Sequence, residues 1–425
     1  MKLFYLFLII AITAFSYCAA DLPPYCGADS GDYPKPSEGT LIQVHLVARH
    51  GDRIQANAGQ CWKGDEHLWD CLLTDAITPT INRDQHHLRV ERLYRKVFYT
   101  GREEVPGNCA LGQLTNVGFR QQLSNGENAR KNYVESSFLS PNFSSVEHRV
   151  RSTNIFRTLQ SAQGFMTGMF PPSQPVVGRA SIMDINTMDG TYENMYPNDK
   201  LCPKVKDYLT AYFKSPEFID HYNAVSKQLV DDLQKALDDE TFTYQDIFML
   251  FDCLNVFKCH EVDTPAGITQ DLYQRVSEEV TYVFYHMYAY PSPAEAAKVG
   301  IGFFLKEIQQ EVIAKINKES KLKFILYSGH DITLMTLLLA FNISDGVWPP
   351  YASQLILEVY QMNQDSYAMR ILYNGKVMKL PFCDNKEMCD ANLVREYLAN
   401  FEPESVEKDC QPSETVDEKT PKIPQ

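Results

Sequence analysis

Two stretches of the chain combine a short apolar run with a polar loop that directly follows it. Residues 40–48, TLIQVHLVA, are apolar and β-branched over the length of one strand, and they end at the charged segment RHGDR. Residues 323–341, KFILYSGHDITLMTLLLAF, predict a strand, a Ser-Gly turn and then a helix. Strands that end at a polar loop feeding a helix are typical of an α/β protein, so we expect a mainly parallel central sheet flanked by helices. Such sheets bind their ligands at the carboxyl ends of the strands.

Helical patterns lie between these two stretches. Residues 151–170, RSTNIFRTLQSAQGFMTGMF, predict a helix that Ser152 is placed to cap. The apolar face of this helix is formed by Ile155, Leu159, Ala162, Met166 and Met169. Residues 186–299 are rich in charge and tyrosine, and they predict a mostly helical cap insert over the sheet. The α/β core would then comprise residues 39–185 and 300–395.

The composition is that of a large acidic protein. The 425 residues are 44% hydrophobic, which is enough for one large domain or for a core with an insert. Acidic residues outnumber basic ones 54 to 40, and because no basic block occurs we expect no nucleic-acid partner. A local basic pocket for a small anion remains compatible with this balance. The polar, proline-bearing residues 411–425 predict a disordered tail.

The N-terminus has the pattern of a secretory signal peptide. Residues 1–20 contain one lysine, an apolar run and the small residues Cys18 and Ala20, so we expect cleavage after Ala20. The alternative is an uncleaved membrane anchor, because the apolar run that begins at Leu3 is just long enough to span a bilayer as a helix. Contact with a membrane is expected only in that second case. Both readings place the chain in the secretory pathway, as a secreted, lysosomal or Golgi lumenal protein.

Cysteine usage agrees with this compartment. Ten cysteines remain without Cys18, an even and scattered set that predicts disulfide bonds whose pairing the sequence leaves open. No C-x2-C pair occurs, and the spacings 253/259 and 383/389 are too long for a zinc site, so we expect no metal. Two glycosylation sequons begin at Asn142 and Asn342. The oligomeric state cannot be inferred from these features.

The loop after the first strand carries the strongest chemical signal. Arg49 and Arg53 are fixed-charge forks suited to phosphate oxygens, and Gly51 allows a close approach of the backbone. His50 between them is a candidate proton shuttle, metal ligand or nucleophile. Two flanking arginines would repel a metal ion, so they favour an anionic substrate. They should also lower the pKa of His50 and keep its imidazole neutral in mildly acidic compartments.

The loop after the later strand offers His330 and Asp331. Either residue alone is more often structural, as a hydrogen-bonded loop histidine or as a carboxylate at a helix start. Together with the first loop they complete a set in which Asp331 is a candidate acid for a leaving alkoxide. Arg151 precedes the predicted cap Ser152 and adds a third guanidinium near a helix N-terminus. Arg157 lies further into that helix and is expected to be a structural salt-bridge partner.

These segments resemble the histidine acid phosphatases, whose signature R-H-G-x-R-x-P is followed far downstream by H-D. The corresponding segments here are RHGDRIQ (49–55) and HD (330–331). Further matches are LTNVGFRQQLSNGENARKNY (114–133), RSTNIFRTLQSA (151–162), SGHDITL (328–334) and PPYASQLILEVY (349–360). The resemblance covers most of the chain in the expected order, and it implies a phosphoglycerate-mutase-like α/β core.

The resemblance also implies a mechanism without metal or other cofactor. His50 would attack phosphorus to form a phosphohistidine, and Asp331 would protonate the leaving group before water hydrolyses the intermediate. The phosphoryl oxygens would be held by Arg49, Arg53, Arg151 and His330. Gln55 stands where the family pattern has proline, so the loop is expected to be less rigid, with altered substrate choice or slower turnover.

Residues 370–398 and the segment RTLQS are most similar to the 2-phosphoxylose phosphatase branch of this family. That similarity implies a phosphomonoesterase of the Golgi that removes phosphate from xylose in the linker of glycosaminoglycan chains. A broad-specificity lysosomal or secreted acid phosphatase is the alternative. An inactive relative that binds phosphorylated glycans is a further one. A disulfide-rich extracellular scaffold would explain the cysteines but not the charged loop.

Overall fold

The computed structural model of the protein describes most of the chain. The described residues are 22–56, 60–71, 77–81, 90–95, 107–171 and 183–412. The predicted signal peptide and nearly all of the predicted tail lie outside them. Both sequon residues, Asn142 and Asn342, are exposed on the surface. Among the described residues, no helix is both long enough and apolar enough to cross a bilayer.

The described residues contain one large mixed sheet and one separate hairpin. In chain order the strands are β1 Thr40–Arg49, β2 Ile77–Ile81, β3 Val90–Arg95, β4 His148–Ser152, β5 Phe324–Gly329, β6 Gln354–Gln361, β7 Tyr367–Tyr373, β8 Lys376–Val377 and β9 Cys389–Asp390. The order in the large sheet is β4-β5-β1-β6-β7-β8, β9 also pairs with β7, and β2 and β3 form the hairpin. Strands β4, β5 and β1 are parallel, and the strands beyond β1 are antiparallel. The α/β fold is therefore confirmed, with the parallel strands on one side of the sheet.

Helices cover both faces of the sheet and extend beyond it. The described helices are α1 Asn116–Ala129, α2 Phe156–Met169, α3 Lys204–Tyr212, α4 Pro216–His221, α5 Lys227–Leu237, α6 Asp246–Cys259, α7 Gln270–Met287, α8 Pro293–Gly300, α9 Gly302–Ile316, α10 Asp331–Ala340, α11 Ala391–Leu398 and α12 Val406–Asp409. Helices α3 to α8 fall almost wholly within the segment expected to be a helical insert. The division of the chain into core and insert stays a prediction.

Strand β1 is buried on both faces, as its continuous apolar run predicts. Leu46 packs in the cluster that includes Phe165 of α2, whereas its neighbour Val47 packs in the cluster that includes Phe304 of α9. Successive side chains of a strand point to opposite faces, so one strand joins the two hydrophobic cores. This burial holds the carboxyl end of β1, where the candidate site begins, in a rigid position.

The helix expected after residue 151 begins later than predicted. Residues 148–152 pair with β5 as a parallel strand, and the N-cap of α2 is Ile155, which makes no side-chain cap hydrogen bond. Ser152 is the last residue of β4, and its amide donates to the carbonyl of Asn186. Ser152 is therefore not the cap, because pairing with β5, distant in sequence, extends the strand through it.

All ten cysteines form disulfide bonds, which confirms the prediction from their number. The pairs are Cys26–Cys259, Cys61–Cys253, Cys71–Cys109, Cys202–Cys410 and Cys383–Cys389. Two of these pairs attach segments distant in sequence to α6, the N-terminal segment through Cys259 and the loop after β1 through Cys253. Both attachments lie close to the candidate site.

Candidate active site

The two predicted loops meet at the carboxyl ends of neighbouring parallel strands. Arg49, the last residue of β1, lies opposite Gly329, the last residue of β5. His50 follows the first strand and His330 follows the second, and their ring centroids are 5.8 Å apart. Gly51 is required here, because a Cβ atom at this position would lie 2.2 Å from the carbonyl oxygen of Gly118 in α1. The close approach predicted for Gly51 is therefore made by a helix of the same chain.

His50 has the protonation state that a nucleophile needs. Its side chain is buried, and its Nδ1 lies 2.7 Å from the carbonyl oxygen of Gly51, so Nδ1 carries the hydrogen and Nε2 keeps a lone pair. Burial, followed by the charges of Arg157, Arg49 and Arg53, lowers the pKa of His50 well below its usual value. The expected depression of this pKa is confirmed. The imidazole is neutral and aims its free nitrogen away from Gly51.

Arg49 is wholly buried in a dense polar and aromatic setting. Its Nη1 donates to the carbonyl of Pro349 at 2.5 Å, and its Nη2 lies 2.8 Å from the hydroxyl of Tyr25 and 2.9 Å from Asp331. The guanidinium carbon sits 4.2 Å from the ring centroid of Tyr351. Cation–π contacts of this kind stabilise a desolvated arginine. The guanidinium is thus held rigidly between the two loops.

Arg53 is anchored by a residue that the sequence did not identify. Its Nη1 lies 2.7 Å from Oδ1 of Asp252 on α6 and 3.1 Å from the carbonyl of Ile54. The other carboxylate oxygen of Asp252 accepts the amide of Ala56 at 2.8 Å. One aspartate therefore fixes both the guanidinium and the backbone of its loop.

The third arginine near His50 is Arg157 rather than Arg151. Arg157 lies in the first turn of α2, and burial together with the charge of Arg53 lowers its pKa to about 10. Among the described residues it has no ion-pair partner, which differs from the structural salt bridge expected for it. Arg151 is instead 2.9 Å from Glu193 and also bound to Glu307 of α9. The guanidinium of Arg151, which the sequence predicts to be a phosphate ligand, is thus bound by two carboxylates in the structure.

Three arginines around His50 share one property, a buried Nε atom. The Nε–H groups of Arg49, Arg53 and Arg157 have no hydrogen-bond partner among the described residues. A buried charged donor without a partner is costly in free energy, and such groups are uncommon in native proteins. Three of them on side chains whose charges act on one histidine indicate a site built for an anion with several acceptor oxygens.

His330 and Asp331 occupy the start of α10. The Nε2 of His330 lies 3.0 Å from Oγ1 of Thr153, and burial followed by the charge of Arg157 lowers the pKa of His330 to about 3. Asp331 pairs with Arg49 and accepts a 3.2 Å hydrogen bond from the indole of Trp348. Burial raises the pKa of Asp331. The charges of Arg49, Arg53 and His330 lower it by more than burial raises it, so the pKa lies below its usual value.

Hydrogen bonds hold the loop where the family pattern has a proline. Gln55 is buried, its carbonyl accepts the amide of Gly112 at 2.8 Å, and the amide of Ile54 donates to Gln113 at 3.1 Å. Asp52 accepts hydrogen bonds from Thr115, the N-cap of α1, and from His260. These bonds supply restraint on both sides of the loop.

An aromatic cleft lies next to Trp348, whose indole donates to Asp331, and none of the candidate catalytic residues lines this cleft. It has a volume of about 1340 Å³ and is lined by side chains of the N-terminal segment, α6, α7 and residues 346–348, among them Tyr25, Phe251, Tyr273, Tyr285 and Trp348. Pockets for small ligands usually enclose about 300–1,000 Å³, so this cleft can take a larger group. No local sequence motif marks these aromatic residues, which come together only in the folded chain.

Comparisons with known proteins agree with this geometry. The family model described as "Histidine phosphatase superfamily (branch 2)" matches residues 40–374. Counting factor 60 of Dictyostelium discoideum is 34% identical over 89% of this chain and 90% of its own length. Lysophosphatidic acid phosphatase type 6 of Bos taurus is 26% identical over 86% of this chain and 85% of its own length. The phytase from D. castellii shares the fold with a TM-score of 0.56 and 16% identity, covering 92% of this chain and 87% of that chain.

Proposed function

The chain belongs to the histidine phosphatase superfamily (branch 2) and is a phosphoric monoester hydrolase of the acid phosphatase type, and we propose that it acts through a phosphohistidine on His50. The observation that carries this proposal is the neutral imidazole of His50 beside three arginines whose buried Nε–H groups have no partner among the described residues. Electrostatic stabilisation of developing charge is usually the largest catalytic contribution, and these arginines are already in position.

In the first step Nε2 of His50 attacks phosphorus and the bond from phosphorus to the ester oxygen breaks. The proposed phosphate ligands are the guanidinium groups of Arg49, Arg53 and Arg157, with the imidazole of His330. Asp331 gives its proton to the leaving oxygen, so an alcohol departs. In the second step water attacks phosphorus, Asp331 takes the proton of the water, and phosphate and free His50 are released. Positioning and electrostatics supply most of the rate in phosphoryl transfer.

Asp331 must hold a proton to act as the acid, although Arg49 lowers its pKa in the free protein. A bound phosphate ester brings negative charge to the same arginines. That charge offsets their effect on the carboxyl group and adds repulsion, so the pKa of Asp331 rises when the substrate binds. We propose that substrate binding thereby protonates Asp331, which can then act as the general acid.

The proposed location is the secretory pathway, with the lumen of the Golgi, the lysosome or the cell exterior as the compartment. Five disulfide bonds support an oxidising environment. The finer proposal for the substrate is 2-phosphoxylose in the glycosaminoglycan linker, and it is supported by the similarity of residues 370–398. A broad-specificity acid phosphatase is the alternative.

A second candidate substrate is a phosphate ester with a long apolar group. The aromatic cleft next to Trp348 favours it, because the cleft is large and its lining, which includes Tyr25, Phe251 and Trp348, is mainly apolar. The similarity to lysophosphatidic acid phosphatase type 6 points to the same class.

The test is phosphate release from three substrates by the secreted protein. These are a linker oligosaccharide with 2-phosphoxylose, a simple aryl phosphate and lysophosphatidic acid, with His50→Ala as the blank. A clear preference for the 2-phosphoxylose oligosaccharide or for lysophosphatidic acid would identify the substrate class. Similar rates on all three would indicate broad specificity. Equal release by wild type and His50→Ala would refute the enzyme mechanism. Binding of the esters without release would favour an inactive phospho-glycan-binding relative.

A further inference from the structure

A largely buried ion cluster lies between β4 and α9. The Nη2 of Arg151 is 2.9 Å from Oε1 of Glu193 and 2.7 Å from Oδ1 of Asn194, and its Nη1 binds Glu307. Arg151 and Glu193 are both buried, with side-chain exposures of 6% and 1%. Breaking a buried ion pair by removing one partner is strongly unfavourable, so this contact restrains the segment that contains Glu193 and Asn194.

Glu193 is the centre of a folded loop. Its Oε1 also accepts the backbone amides of Asn194 and Met195, each at 3.0 Å. The side chain of Asn198 closes the loop by donating to the carbonyls of Gly190 and Glu193. Internal hydrogen bonds therefore restrain this loop, and Arg151 attaches it to the core.

The loop places Tyr196 beside His330 in the candidate active site. Met195 is fully buried against the end of β5, where a Cβ atom on Gly329 would lie 3.2 Å from its Cε. The next residue, Tyr196, is half-buried, and its ring lies edge-on to His330 with centroids 5.7 Å apart. Tyr196 thus lies next to His330, while Trp348 contacts Asp331.

In-line attack by His50 places the leaving group on the side of phosphorus opposite to His50. Tyr196 lies beside His330, a proposed phosphate ligand, and is therefore a candidate to contact that group. We propose that Tyr196 contacts the leaving group of the ester and selects for aromatic or ring-shaped groups, and that Arg151 and Glu193 are the positioning residues that hold it there. This inference rests on the proposed function, because it assigns a leaving-group subsite to that same site.

The chain offers a matched control on the same strand. Arg149, two residues before Arg151, pairs with Glu311 of α9 in a partly exposed ion pair and makes no hydrogen bond or ion pair with the described loop residues 189–198. Arg149→Met therefore removes a guanidinium from β4 without touching the loop. Any effect specific to Arg151→Met then reflects the loop rather than the loss of a charge on β4.

The experiment measures the dissociation constants of phenylphosphonate, methylphosphonate and inorganic phosphate by calorimetry. The phosphonates are not hydrolysed, so the measurement is independent of turnover. We expect Tyr196→Ala to weaken phenylphosphonate relative to methylphosphonate by about threefold to tenfold, as for the loss of one aromatic contact. Phosphate affinity should stay at the wild-type value, because the three arginines near His50 remain in place.

Arg151→Met should reproduce the selectivity of Tyr196→Ala, and the double variant should show no additional loss, since both changes remove the same contact. Arg149→Met should match wild type. Glu193→Gln keeps an oxygen for the two backbone amides and serves if Arg151→Met fails to fold. It should give a smaller change in the same direction.

An unchanged phosphonate ratio in Tyr196→Ala would overturn the subsite. A changed ratio in Tyr196→Ala together with wild-type ratios in Arg151→Met and Glu193→Gln would overturn the positioning role. Absence of phosphate-ester hydrolysis by wild type would count against the proposed function alone, because the phosphonate ratios would still decide the present inference.

Discussion

The Nη2 of Arg49 lies 2.9 Å from Oδ2 of Asp331, and this ion pair joins the two loops that carry the candidate chemistry. It has two consequences. The guanidinium is held in place before substrate arrives, and the carboxyl group beside it is ionised in the free protein because its pKa is lowered. Under the proposed mechanism, this pair links phosphate binding to protonation of the leaving group.

Asp331→Asn should slow hydrolysis in proportion to how poor the leaving group is. We expect a loss of about 10²–10⁴ in kcat for an alkyl phosphate, because the general acid is removed. A nitrophenyl phosphate should lose much less, since its phenolate leaves without a proton. The measurement is kcat for a series of esters whose leaving groups differ in pKa. An equal loss across the series would contradict a proton-donor role.

The acid limb of kcat/KM should lie well below pH 6.5. Burial and the charges of Arg157, Arg49 and Arg53 lower the pKa of His50, so its imidazole stays neutral and nucleophilic in acid. At higher pH, kcat should fall as Asp331 in the substrate complex loses its proton. Steady-state kinetics of wild type from about pH 4 to 9 would show both limbs. Activity that appears only above neutrality would show that the pKa of His50 is not depressed.

Arg157→Met should lower kcat/KM by about 10²–10³, because one preorganised donor to the transition state is lost. The affinity for inorganic phosphate should fall with it. Arg151→Met should keep the wild-type affinity for phosphate, since its guanidinium is bound to Glu193 and Glu307. Inhibition constants for phosphate in both variants would distinguish the two arginines. A loss of phosphate affinity in Arg151→Met alone would restore the assignment made from sequence.

The contrast between these arginines shows where local sequence patterns reach their limit. Both stand near the start of a predicted helix, and the choice between them depends on where the strand ends. That boundary is set by pairing of residues 148–152 with β5, almost two hundred residues later in the chain. The loops at Arg49 and His330 could be predicted because strand, loop and helix are contiguous in each.

Other parts of the site depend on contacts between distant segments. Tyr25 reaches Arg49 because Cys26 is bonded to Cys259, and Asp252 reaches Arg53 from the middle of α6. No spacing in the sequence indicates either contact. An even number of cysteines predicted the presence of disulfide bonds, but their pairing follows from the packing of α6 against the two attached segments.

His260 and Asp52 should make stability depend on pH near neutrality. Burial lowers the pKa of His260. The hydrogen bond to Asp52 and the charge of Asp52 together raise it by more than burial lowers it, so the pKa lies above its usual value. A folded pKa above the unfolded value adds stability below about pH 6.5, and this contribution is lost as pH rises through the folded pKa. His260→Gln should therefore cost about 1–2 kcal/mol at pH 5 and less at pH 8. Urea unfolding of both proteins at the two pH values would test this, and a constant difference would contradict it.

Removing the disulfide bond between Cys26 and Cys259 should reduce both activity and stability. The bond closes a loop of 233 residues and holds Tyr25 against Arg49, so its loss releases a contact of the active site. The pair Cys383–Cys389 closes only 6 residues and provides the control. The double serine variant of the first pair should lose roughly 2–5 kcal/mol of unfolding free energy, and that of the second pair less, because the entropy of a closed loop grows with its length.

We also expect kcat/KM to fall about tenfold in the first variant and to stay near wild type in the second, since small displacements of positioning groups slow catalysis. Urea unfolding and steady-state kinetics on both variants would test these expectations, and equal kinetics would mean that Tyr25 does not depend on its disulfide to hold Arg49.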